Sequence, residues 1–329
     1  MLSTRVLVLW WRHKNERAPT TSKRHVRTHI RIIAAMENQH ACIKHPFSAS
    51  LIDLITDEMW GDVMTRLLEC DDDARLIGTI KLFGTRTDCY PLHALCKMKN
   101  FPLSVLTALT TAMPAAVRIP AIPFMSLPIH IACRSKATLS EIEHLVSLFP
   151  ESLHLPDADG NLPIHLACSL GTESVVKFLA SLSPESVRMT NSRLQTPLHL
   201  ACNRYDVCID VVEMLLKRHP NAAMHQDWQR QVPLHKAVAW KADIEVIGAL
   251  LNAFPEATRV RDKRSLTPYK IGRKLIGLTS DDSTIKLLRM FQSKNGRFAL
   301  RTCDFLQFGA ETVRDKVLPT KRARAAMAA

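Results

Sequence analysis

Four times along the chain a histidine stands three residues before a cysteine: His93 and Cys96, His130 and Cys133, His165 and Cys168, His199 and Cys202. Imidazole and thiolate are donors for structural zinc. Side by side they are also the base and nucleophile of cysteine catalysis. Neither chemistry closes here. Zinc wants four donors converging tetrahedrally at about 2.0–2.3 Å. Equivalent residues on packed helices stand about 8–10 Å apart. A fifth histidine, His235, has Val238 where the cysteine would be. No copy places a carboxylate or second nucleophile beside its histidine. There is no phosphate-binding Gly loop and no Gly-x-Ser-x-Gly. The reading is therefore no catalytic residue, no metal, no cofactor and no enzyme. The cysteines read as small apolar packing residues.

The elements that carry these residues repeat with them. The strings are Tyr-Pro-Leu-His-Ala-Leu-Cys at 90–96, Leu-Pro-Ile-His-Ile-Ala-Cys at 127–133 and Leu-Pro-Ile-His-Leu-Ala-Cys at 162–168. Thr-Pro-Leu-His-Leu-Ala-Cys at 196–202 and Val-Pro-Leu-His-Lys-Ala-Val at 232–238 come next. A decayed sixth copy is Thr-Pro-Tyr-Lys-Ile-Gly-Arg at 267–273. The six prolines are spaced by 37, 35, 34, 36 and 35 residues. A fixed period of this length marks a repeat array. Between the strings lie apolar segments with i, i+3, i+4 spacing, each halted by a proline: Pro114, Pro150, Pro184, Pro220, Pro255. That pattern predicts amphipathic helices with explicit stops. Each repeat thus reads as turn, short helix, short helix, return loop. Thr196 is expected to cap a backbone N–H of the first helix with its hydroxyl, with Pro197 at the first helical position. Residues 157–160, Asp-Ala-Asp-Gly, read as a tight turn, and Gly171 and Asp206 as turns between helices.

The Thr-Pro-Leu-His-Leu-Ala string at 196–201, on this period, resembles the ankyrin repeat. The tetratricopeptide repeat has a similar period, but its Trp/Gly/Tyr pattern is missing. The resemblance spans roughly residues 85–275. It departs in a longer period and in Pro-Glu-Ser or Pro-Glu-Ala strings where the family has Gly-Ala, read here as a longer return loop. It implies an all-α, ankyrin-type helical repeat solenoid with short β-turn tips. It implies that His93, His130, His165, His199 and His235 are structural, bonding to backbone in the adjacent loop. It also implies a protein-interaction scaffold whose partner lies on a concave face of turn tips and first-helix ends. Counted from each proline, the tip positions are Ala158, Asp159, Asn161; Ser192, Arg193, Gln195; Trp228, Gln229, Gln231; and Lys263, Arg264, Leu266. The helix-end positions include Arg134, Asn203, Arg204 and Trp240. The partner-binding set is then Arg134, Asp159, Asn161, Arg193, Arg204, Trp228, Trp240, Lys263 and Arg264, a basic strip opposed by Asp159. An acidic protein segment is the expected partner.

Composition agrees. Apolar residues make up 47%, aromatics 6%, and there are 10 glycines, a balance that favours helices over a sandwich or barrel. Nine cysteines without a CxxC pair argue against a disulfide framework and for a reducing compartment. The net charge of +13 is uneven. Residues 1–35 hold eight basic side chains and one acid, a net +7, leaving +6 for the other 294. That weakens the alternative of a nucleic-acid-associated protein using the basic strip and tails.

The domain reading is a basic, disordered segment at 1–45, a repeat array with capping helices at 46–295 and a flexible basic tail at 296–329. Residues 1–45 resemble a transit peptide; a plain tail, or an extension ahead of Met36, are the other readings. The longest apolar run near the start, residues 6–11, is too short for a membrane span. Residues 50–70 predict a helix pair or one long helix, and Ile285, Leu287, Leu288 and Phe291 a final helix opened by Asp282 or Ser283. A monomer in cytoplasm or nucleus is expected, with organelle import through residues 1–35 as an alternative.

Overall fold

The computed structural model describes residues 50–69, 71–82, 85–274, 277 and 282–292. The expectations for residues 1–45 and 296–329 lie outside these. The chain forms two compact units that divide between Ser192 and Arg193.

In the first unit a helix pair opens the described chain: α1 (Leu51–Thr56) and α2 (Trp60–Glu69). Ser50 caps α1, accepting from the Asp53 N–H while the Asp53 carboxylate accepts the Ser50 N–H. An antiparallel hairpin comes after it, β1 (Gly78–Leu82) and β2 (Thr85–Cys89), in register Gly78 with Cys89 through Leu82 with Thr85. It forms the tip of the first repeat, where the repeat pattern implies only a short turn. The repeats then run α3 (Pro91–Lys97) and α4 (Leu103–Ala112), α5 (Pro128–Ser135) and α6 (Leu139–Leu148), α7 (Pro163–Leu170) and α8 (Glu173–Leu182). α3 packs on α5 and α5 on α7.

The second unit holds α9 (Pro197–Ala201) and α10 (Ile209–Arg218), α11 (Pro233–Ala239) and α12 (Ile244–Ala253), α13 (Pro268–Lys274) and α14 (Ser283–Gln292). α9 packs on α11 and α11 on α13. Asp282 caps α14, its carboxylate accepting the Thr284 N–H at 2.9 Å. The fold class is the expected all-α ankyrin-type repeat. Among the described residues no helix is long and apolar enough to cross a membrane.

The first helix of a repeat is buried almost all round: Pro128, Ile129, His130, Ile131, Ala132 and Cys133 in α5. The second helix is amphipathic and buries one face, as Ile142, Leu145 and Val146 do in α6. Its end is not the plain loop that the extra residues suggest. One residue after the helix, Phe149 leaves helical geometry at φ −148° and ψ 76°. Pro150 then starts a 3-10 turn, Pro150–His154. The same device recurs at Pro114–Arg118, Pro184–Arg188, Pro220–Ala223 and Pro255–Arg259. Proline suits the first position, where no N–H is required.

Candidate functional site

The histidines explain how a tip is tied to its helix. In the second to fifth repeats, the backbone N–H just before the proline donates to the imidazole Nδ1: Leu127 to His130 (3.1 Å), Leu162 to His165 (3.1 Å), Thr196 to His199 (3.3 Å) and Val232 to His235 (3.2 Å). Nδ1 is therefore the acceptor, and Nε2 carries the proton. Nε2 donates to a carbonyl of the next loop: Leu155 at 2.9 Å, Met189 at 3.2 Å, Gln231 at 3.1 Å and Leu266 at 3.3 Å. His93 makes the same Nε2 bond to Ile119 at 2.8 Å. Burial pushes His93 and His199 down to about 4 and lowers His235. In the second to fifth repeats both ring nitrogens are engaged, so these rings can neither ligate a metal nor accept a proton from a substrate. Burial likewise pushes the Cys133 and Cys202 thiols up to about 12, so they stay protonated. The Thr196 hydroxyl does not cap backbone as expected; it donates to His199 Nδ1 at 2.9 Å, because the ring stands where the free N–H would be reached.

Three of the tips are built by a buried carboxylate six residues before the proline. Asp157 Oδ1 accepts the N–H groups of Asp159 and Asn161, Asp227 those of Gln229 and Gln231, and Asp262 those of Arg264 and Leu266. The residue three before the proline takes the left-handed conformation: Met125, Gly160, Leu194, Arg230 and Ser265, with φ between 50° and 77°. Successive tips within a unit join through backbone, Ala158 N–H to Phe124 O and Ser192 to Asp159, then Trp228 to Arg193 and Lys263 to Gln229, each at 2.9 Å.

This geometry sorts the predicted partner residues. Asp159, Arg193, Trp228, Lys263 and Arg264 are exposed at the tips. Asn161 is not an outward residue. It is buried, donates to Asp157 Oδ2 at 3.2 Å and accepts from Asn191 Nδ2 at 2.9 Å. Gln195 and Gln231 are buried too, because the left-handed residue before them turns the chain inward. Gln231 donates to Asp262 Oδ2 at 3.0 Å. Arg134 is half-buried at the end of α5. Arg204 is half-buried and grips Asp206 with two bonds of 2.7 and 2.6 Å. Arg264 Nε lies 3.7 Å from buried Asp262. The strip is thus less basic than residue counting implies, since Asp206 and Asp262 join Asp159 in opposing it.

The tryptophans differ from each other. Trp228 is 47% exposed, with the Lys263 ammonium 5.1 Å from its ring centre. Trp240 is half-buried at the end of α11, and its indole N–H donates to Asn203 Oδ1 at 2.8 Å. Tyr205, absent from the set expected from sequence, meets Trp240 edge-on at 4.6 Å and is itself 75% exposed. It stands eight residues after Pro197, where the neighbouring repeats carry Lys136, Gly171 and Lys241. Counting one position past the helix end finds it. Lys236 is likewise outside the expected set, an ammonium on the buried α11 paired at 3.1 Å with the buried Asp227 carboxylate.

Two overlapping stretches, residues 129–223 and 164–262, match the family model described as ankyrin repeats (3 copies). Among solved structures, the crystal structure of the human ASB11 ankyrin repeat domain has the same fold at a TM-score of 0.57 and 19% identity, covering 75% of this chain and 99% of that one. No curated protein sequence matches the chain. The period, the histidine-locked tips and both matches agree, and the chain is an ankyrin-repeat protein.

Proposed function

We propose that this chain is a scaffold or adaptor that binds a protein through the tips and first-helix ends of its second unit, centred on Trp228, Lys263, Tyr205 and Trp240; ankyrin repeats are in general protein-interaction modules. The observation that carries the reading is the exposed aromatic surface of Trp228 and Tyr205, at positions the repeat does not need for its own packing. Tip packing uses the residues six and two before each proline, whereas Trp228 lies five before. Tryptophan, tyrosine and arginine dominate binding hot spots. With Arg193, Lys263 and Arg264 on the same tips, the surface suits a segment carrying carboxylates beside an apolar residue.

Trp228→Ala is expected to weaken partner binding by at least about 1–2 kcal/mol, the usual loss for a hot-spot aromatic. The measurement is affinity capture by the full chain, then titration calorimetry with the captured protein. Trp240→Ala is the poorer probe, because it also removes the Asn203 bond and the Tyr205 contact that join neighbouring repeats. Unchanged affinity in a folded Trp228→Ala, Tyr205→Ala double variant removes this surface from consideration. Tight binding to random RNA with a steep salt dependence would replace the reading with a nucleic-acid one.

A further inference from the structure

The second helices of the repeats are solvated on their outer face, and charge is how they show it. α6 carries Glu143, α8 Glu173 and Lys177, α10 Asp210, Glu213, Lys217 and Arg218, and α12 Glu245. α4, Leu-Ser-Val-Leu-Thr-Ala-Leu-Thr-Thr-Ala, carries no charge at all. It packs on α2, and between them runs a groove of about 470 Å³ lined by Met64, Leu67, Leu68, Thr107, Ala108 and Thr111, among others. That volume lies in the range of roughly 300–1,000 Å³ that accommodates ligands. Leu68 is 84% exposed on its wall. The Thr107 and Thr111 hydroxyls are turned back onto the carbonyls of Leu103 and Thr107, so few polar groups are left to satisfy. Apolar surface of this kind marks a place something covers.

The surroundings say what covers it. Residues 51–75 hold eight acidic residues and two arginines, a net −6 in a chain of net +13. Asp57, Glu58 and Asp62 are exposed at the start of α2 and just before it. Upstream of Ser50, residues 1–35 carry the opposite excess, +7, and they begin with the apolar run Val-Leu-Val-Leu-Trp-Trp at 6–11, with Arg12 and Lys14 directly behind it. About 38 residues join that run to the start of α1, and a coil of that length reaches roughly 30–35 Å. Tethering at that length gives an effective concentration on the order of millimolar.

We propose that the groove between α2 and α4 is the docking site of this chain's own N-terminal segment, with residues 6–11 in the groove and the next basic residues against the acidic stretch. An apolar anchor flanked by cations thus meets an apolar groove flanked by carboxylates.

The test uses the full chain, confirmed intact by mass, with a benzophenone side chain introduced at Thr107. Irradiation is expected to give a cross-link to residues 6–11 in a product of monomer size. Trp10→Asp with Trp11→Asp should cut its yield at least five-fold, and Leu68→Asp should cut it similarly. Leu68 is exposed and residues 10 and 11 lie outside the repeats, so these variants keep the fold; circular dichroism checks this. No cross-link to residues 6–11, a cross-link found only between two chains, or an undiminished yield in the double Asp variant overturns the proposal.

Discussion

At the scale of single residues, the tips are where the chain is strained and where the strain is tunable. A left-handed backbone costs a residue with a side chain about 1–2 kcal/mol relative to glycine. Gly160 meets this need; Leu194 and Arg230 do not, at φ 55° and 61°. Leu194 is also 51% exposed, so its side chain contributes little packing. Leu194→Gly and Arg230→Gly are expected to stabilise their repeats by up to about 1 kcal/mol, after the entropy glycine adds to the unfolded chain. Gly160→Ala should do the reverse. Its new Cβ would stand 2.7 Å from the Ser192 nitrogen, in a conformation alanine avoids. Urea denaturation of the three variants measures both signs. The left-handed positions are half legible in the sequence: Asp-Ala-Asp-Gly announces a turn, but Leu194 announces nothing. Asn161 defeats residue counting for a related reason, since a polar residue in a turn looks solvated until the tip is seen to fold its amide inward.

At the scale of elements, the short first helix is the part the sequence states most clearly. Proline fixes its start and the histidine of the string marks its lock, so α3, α5, α7, α9 and α11 can all be placed by counting. The 3-10 turns are less legible, because a proline says where a helix stops and not which conformation the chain takes next. The β1–β2 hairpin is invisible. Its strands are five residues each and have no proline-histidine string of their own. Helix α11 holds the one charge in this set that breaks the apolar pattern. Lys236 stands where α5, α7 and α9 carry Ile131, Leu166 and Leu200, and it neutralises buried Asp227. Lys236→Ala leaves that carboxylate buried and unpaired, a loss expected at about 3–5 kcal/mol. Lys236→Leu with Asp227→Asn should recover most of it, because asparagine can still accept the two tip N–H bonds. If thermal denaturation shows the single variant as stable as the parent, the pair is not holding the tip.

For the molecule as a whole, the histidine series couples folding to pH. A folded His93 or His199 near 4 binds fewer protons than an unfolded histidine near 6.5. Stability therefore rises with pH through the window from about 4 to 6.5, is fully present above it, and is lost as pH falls. Each of these two rings should cost about 2 kcal/mol at pH 5 relative to pH 7.5, with His235 adding in the same direction. Chemical denaturation at the two pH values tests this. Equal stability would mean the rings can be protonated in place. Because the loss falls on several repeats together, acid should unfold the chain broadly and not at one weak point. The +13 charge belongs to the same scale, and its meaning lies in its layout. A basic start, an acidic first helix pair and mildly basic repeats make a chain whose ends differ.

The bonds between tips have a mechanical consequence. Within each compact unit, a tip holds its neighbour by one backbone bond, and in the first five repeats one imidazole ties the repeat to the loop beyond it. Tension along the chain therefore meets small, similar catches in series. Each catch that gives way frees 34–37 residues, roughly 120 Å of contour at ~3.3–3.6 Å per residue. A load on the repeats should therefore be released in steps of measured length, the behaviour of a spring with notches.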